Sequence, residues 1–426
     1  MFRPLSILLL LSVAAALAQS NDYDQAPIRY SDSTPNDPVS RLQARLNARK
    51  LTITGTEKQA LAQVLAALGI SPKSQVIVFS KTSVQRVRIS PQNPRALYFN
   101  DDCYVGWVPG GLIEVAAIDP LLGPNFYSID PLERGSEPQR FRRDPNCLSC
   151  HAANFTRDIP GVFVRSVFAE ATGSPIFSAG SEVVDYTTPI AQRWGGWYVT
   201  GRHGSARHRG NAFAREDARD VLLDSERGAN IESLAEFFDP KLHLEPTSDI
   251  GALMVLEHQV AFHQALTRAQ HEGRRMLHYQ HGLQESFKEP ITDEPHYDSV
   301  KSVFANNAQA VLDALLFKDE AALPDGGLRG SADFVKAYEA AGPRTKDSRS
   351  LRELDFKTRI ARYRCSPLIY TEQFAKLPKP LLKRVLDRLH RILTDPQPEP
   401  RYAYLGADER KTIAAILAET LPGFAP

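Results

Sequence analysis

The sequence predicts an α+β protein in which a β-rich middle is wrapped by helices from both ends. Three observations carry that expectation. Between Gln75 and Thr200, short runs of β-branched and aromatic residues alternate with turn formers. On both flanks, apolar residues recur at helical spacing. Charged residues at 24% and apolar residues at 42% describe an ordinary globular chain, long enough to bury a core without disulfides.

Taken in order, Met1-Phe2-Arg3 is a short basic start, Ile7 to Leu17 is apolar except for Ser12, and Ala16-Leu17-Ala18 is an A-x-A site. Residues 1–18 therefore read as a secretory signal peptide, and the periplasm is the expected location. The apolar run is short for a membrane-spanning helix and no other stretch approaches the required length, so no integral membrane segment is expected after cleavage. Residues 19–37 are polar and Pro-containing and are expected to form a mobile leader.

Residues 38–72 carry two helical patterns. Leu42 and Leu46 lie one turn apart, then Thr56 and Gln59 form a capping box before the stripe Leu61, Val64, Leu65, Leu68, which Gly69 and Pro72 end. Residues 75–215 form the β-rich region. Its runs are Val76 to Phe79, Ala96 to Phe99, Tyr104 to Val108 and Leu112 to Val115, followed by Val162 to Phe168 and Gly196 to Thr200. Residues 216–426 are expected to be helical and to pack on that region. A helix follows Thr247-Ser248-Asp249, an amphipathic face runs through Leu381, Val385, Leu389 and Leu393, and a last helix runs from about Asp408 to Glu419.

The chemistry concentrates at Cys147-Leu148-Ser149-Cys150-His151. C-x-x-C-H reads as attachment of a c-type haem, the thiols of Cys147 and Cys150 forming thioethers and His151 ligating the iron, one haem per chain. A zinc site needs a second pair of ligands, and a thioredoxin-like dithiol does not need His151 and prefers a βαβ setting. The string lies mid-chain in β-rich sequence, which argues against the usual small all-helical cytochrome c fold.

Tyr98-Phe99-Asn100-Asp101-Asp102, Gly106 to Gly111, Arg193 to Gly201 and Cys365 to Tyr370 resemble a family of exported bacterial proteins described as cytochrome c domain-containing, with a single C-x-x-C-H. The resemblance covers most of the mature chain. It implies covalent haem at Cys147 and Cys150, His151 as axial ligand, and electron transfer as the activity.

For the sixth iron ligand, methionine is scarce, with Met254 and Met276 the only ones after Met1. His258, four residues beyond Met254, falls on the buried side of its helix and is the leading candidate, with Met254 a lesser one. His208, with His203 in the basic loop Gly201 to Gly210, is the alternative. Arg142, Arg143, Arg193 and Trp194 are candidates to bind or flank the haem propionates. Cys103 and Cys365 read as a long-range disulfide or two buried thiols, the apolar surroundings of Cys103 favouring thiols.

The functional expectation is a periplasmic monohaem c-type cytochrome that carries single electrons. The alternatives are a haem-based redox or small-ligand sensor and a haem oxidoreductase with an open iron site. Loss of Arg3 with the signal leaves a neutral chain, so no nucleic-acid partner is expected; a redox partner protein is implied, but no motif specifies it.

Overall fold

The computed structural model describes residues 22–133, 138–217 and 220–424; the expected signal peptide at 1–18 lies outside the described residues. Helices α1 (Pro38–Asn47) and α2 (Glu57–Ala67) come first. Both begin with reciprocal capping: Asp37 with Ser40 at α1, and Thr56 with Gln59 at α2, as the sequence pattern of α2 predicts.

Strands β1 (Val76–Val78), β2 (Arg95–Phe99), β3 (Cys103–Trp107), β4 (Ile113–Asp119), β5 (Gly123–Ile129) and β6 (Arg142–Arg143) follow. Next come a one-turn helix α3 (Leu148–His151) and strands β7 (Val164–Val167), β8 (Ser181–Val184) and β9 (Trp197–Tyr198). A seven-stranded antiparallel sheet in the order β6-β5-β4-β3-β2-β1-β9 forms the centre. β7 and β8 pair separately, as do β10 (Ala214–Asp217) and β11 (Asp220–Leu223).

Alternation along the strands gives the sheet two faces. Ala96, Tyr98, Val105, Trp107, Ile113, Val115 and Tyr127 pack into one core with α1 and α2. Phe99, Tyr104 and Phe126 turn the other way, towards the 162–164 segment and the start of α4 (Ile250–Phe287). Helix α4 has 38 residues, a rod about 57 Å long at 1.5 Å per residue. Asp249 caps it, its Oδ1 accepting the Ala252 amide at 2.9 Å. Its first ten residues are buried all round, which a helix under a sheet requires.

The rest is helical: α5 (Asp298–Leu315), α6 (Ala332–Glu339), α7 (Glu372–Ala375), α8 (Lys379–Thr394) and α9 (Ala407–Thr420). The later part of α4 joins α5, α8 and α9 in a second core that includes Phe262, Phe304, Val311, Leu381, Val385, Leu389 and Ile416. The architecture is thus α+β, a central antiparallel sheet flanked by N- and C-terminal helices, unlike the small all-helical cytochrome c fold. No helix among the described residues is long and apolar enough to cross a membrane.

Two boundaries differ from expectation. The described part of the expected mobile leader, residues 22–37, is packed: Tyr23, Ile28 and Tyr30 are buried with Leu122, and the Tyr30 hydroxyl donates to the Pro124 carbonyl at 2.7 Å. Three large side chains in a polar stretch outweigh its composition. The helical region expected from residue 216 begins only at Ile250, because β10, β11 and irregular chain occupy the interval.

Candidate functional site

The second face of the sheet is incompletely covered, and the gap is a cleft enclosing about 1180 Å³ of space outside protein atoms, its open mouth included. Leu97, Phe99, Tyr104, Ala116 and Phe126 form its floor. Val162, Phe163, Val164 and Trp197 form one wall, and Leu256 and Val260 of α4 close another. Val84, in the loop after β1, stands exposed at the mouth. Concave apolar surface of this kind is the usual setting of a small-molecule site.

Register explains the shape. Leu97, Gly106 and Glu114 are direct cross-strand partners, as are Phe99, Tyr104, Ala116 and Phe126 in the next row. Ala116 supplies almost no side chain, so the floor sinks between Tyr104 and Phe126. Over Gly106 lies the Arg95 side chain, whose Nη2 meets Glu114 Oε2 at 2.6 Å. The Tyr104 hydroxyl is already engaged, accepting from Gln259 at 3.1 Å and meeting His263 Nδ1 at 2.7 Å, so this residue offers the cleft its ring.

Cys147, Cys150 and His151 all line this cleft. Asp144 opens the turn before them, its carboxylate accepting the Asn146 amide at 2.9 Å. His151 is locked by a reciprocal pair: its carbonyl accepts the Gly161 amide at 2.7 Å, and its Nδ1 lies 2.8 Å from the Gly161 carbonyl. A carbonyl only accepts, so Nδ1 carries the hydrogen and Nε2 holds the lone pair. Burial lowers the imidazole to about 4, the Gly161 carbonyl acting against it, so the ring is neutral near pH 7. Phe126 and Phe163 sit against the ring at 4.6 and 5.0 Å.

The two thiols differ. Burial, then the negative charges of Asp144 and Glu114, push Cys147 up to about 12. Cys150 is exposed, with the Ser149 hydroxyl 3.9 Å from its sulfur. A dithiol oxidoreductase needs a depressed thiol at the first position of C-x-x-C, and Cys147 is the opposite. All four cysteines are free, with Cys103 and Cys365 buried.

These positions overturn the haem expectation. Among the described residues, no group of three or more His, Cys, Asp or Glu side chains gathers as a metal ion would need. Neither proposed sixth ligand reaches the cleft. His258 is buried, but its Nε2 lies 3.0 Å from the Ala314 carbonyl and its ring stacks on Phe317 at 3.7 Å, so its buried position is satisfied by a backbone partner. His208 accepts the Gly210 amide on Nδ1 at 3.0 Å and packs on Trp194, and His203 lies beside it at 4.6 Å. Met254 places its sulfur 3.1 Å from Arg193 Nη1. The donor set therefore does not fit a haem iron. The single-electron carrier, the haem sensor and the open-iron oxidoreductase lose their support together, as does the resemblance to cytochrome c domain-containing proteins.

The expected propionate partners are also elsewhere. Arg142 is exposed and pairs with Glu133 at 2.9 Å. Arg143 donates to the Tyr30 carbonyl at 2.8 Å and stacks over the Tyr30 ring. Arg193 is fully buried and meets Glu257 at 2.6 Å; Trp194, beside it, is fully buried too.

No family model, curated protein or solved structure matches the chain. The residues that sequence reasoning missed are Arg95, Gly106, Glu114, Phe163 and Arg165. A glycine inside a strand often marks close approach of another group, and that was the available signal at Gly106.

Proposed function

We propose that this chain is a binding protein whose cleft holds a bulky apolar molecule without bonding to its thiols. One observation carries the reading: an apolar cleft walled by Phe163 and Trp197 and floored by Phe99, Ala116 and Phe126, on a seven-stranded sheet. Cys147 and His151 support binding over catalysis, since burial raises the Cys147 thiol and His151 is fixed by Gly161. Export to the periplasm, expected from residues 1–18, belongs to the same proposal.

Titration with N-phenyl-1-naphthylamine, a neutral apolar fluorophore, tests it. Saturable binding at one site per chain is expected, weakened about tenfold or more by Ala116→Trp, which fills the floor; tenfold is about 1.4 kcal/mol. Failure to saturate, or equal affinity in the variant, rejects the reading.

A further inference from the structure

Charge in the cleft is unevenly matched. Of the two arginines lining it, Arg95 is neutralised by Glu114 at 2.6 Å. Arg165 has no such partner. It extends from β7 beside Phe163, and the Trp197 indole donates to its backbone carbonyl at 2.7 Å, which fixes the strand. Its Nη2 donates to the Ser181 hydroxyl at 2.9 Å, and its guanidinium lies 4.8 Å over the Phe155 ring. Its Nε is buried with no hydrogen-bond partner. Among the described residues Arg165 makes no ion pair, and burial lowers its guanidinium from the usual value. The histidine in the same cleft is neutral, so the guanidinium is the cleft's unmatched charge.

A half-buried cation without a counter-ion is stabilised by an anion placed beside it, and guanidinium suits a carboxylate or sulfonate. We infer that the cleft selects apolar molecules bearing one anionic group, with Arg165 as the residue that recognises that group. The inference rests on the cleft being a binding site. It adds a specificity that apolar walls alone cannot supply, since hydrophobic burial does not discriminate an acid from its neutral analogue.

The test compares two probes on one scaffold: anionic 1-anilinonaphthalene-8-sulfonate and neutral N-phenyl-1-naphthylamine. Wild type is expected to bind the anionic probe about tenfold more tightly, with a preference that weakens in salt. Arg165→Gln is expected to abolish that preference while leaving the neutral probe within about twofold, which also shows that the cleft is intact; Arg165→Lys is expected to restore part of it. Equal losses for both probes in Arg165→Gln, or no loss for the anionic one, overturn the inference while the cleft remains a binding site. Binding of neither probe by wild type rejects the cleft reading itself and this inference with it.

Discussion

Arg95 and Glu114 meet at 2.6 Å across the one strand position, Gly106, that has no side chain to separate them. A Cβ at Gly106 falls 2.2 Å from Arg95 Nη2, so any larger residue displaces the guanidinium. The displaced group is the end of a flexible side chain, and the fold survives. Gly106→Val is expected to melt within a few degrees of wild type yet bind the neutral naphthylamine about tenfold more weakly, about 1.4 kcal/mol. Unchanged affinity in a fluorescence titration means that the floor does not shape the site.

The cysteines should separate by reactivity. Cys150 is exposed, Cys147 is partly buried and held up to about 12, and Cys103 and Cys365 are buried. An aromatic disulfide reagent at pH 8 is expected to modify Cys150 first, Cys147 more slowly, and the buried pair only on unfolding. Peptide mapping after short exposure checks the order. Rapid reaction at Cys147 contradicts the environment assigned to it.

Arg193 and Glu257 are a fully buried pair, and Arg193 also donates to the carbonyls of Thr188 and Tyr186 at 2.6 and 3.0 Å. Burial raises Glu257 to about 7 in spite of its partner. Arg193→Met is expected to cost about 3–5 kcal/mol in urea unfolding, by stranding Glu257. The double variant with Glu257→Met should cost less than the sum of the single changes. Strict additivity removes the coupling.

Stability should fall in mild acid. Burial lowers His208 and His263 to about 3, and His243, His258 and His271 to about 4. Their unfolded values lie near 6.5, so the unfolded chain takes protons first and stability falls as pH drops from about 6.5 towards 4. Glu257 and Glu320, raised to about 7, and Asp249, raised to about 6, act in the opposite sense, because there the folded chain takes protons first. The histidines outnumber the carboxylates, so the urea midpoint is expected to drop between pH 6.5 and 5. A flat or rising midpoint contradicts the balance.

Much of the fold was legible in local pattern. The reciprocal cap of Thr56 with Gln59, Asp249 at the start of α4, and the runs that became β1 to β4 were all readable, because each is set by neighbours in sequence. The candidate site was legible only in part. Cys147, Cys150 and His151 stand together in the sequence and do share one cleft, but the haem read from their spacing finds no gathered group of metal ligands among the described residues. His258 was correctly set on a buried helix face, yet its partner, the Ala314 carbonyl, lies on another helix. Gly106 meets Arg95 through sheet register, and Arg165 is placed by the pairing of β7 with β8, both long-range properties.

Denatured intact-mass analysis of the full-length chain, expressed with residues 1–18 and purified from its cellular compartment, tests the central claim most directly. The account predicts the mass of the processed polypeptide with four free thiols, and an apolar ligand recovered separately in solvent extract. A mass raised by a group bonded to Cys147 and Cys150, a haem above all, would contradict it.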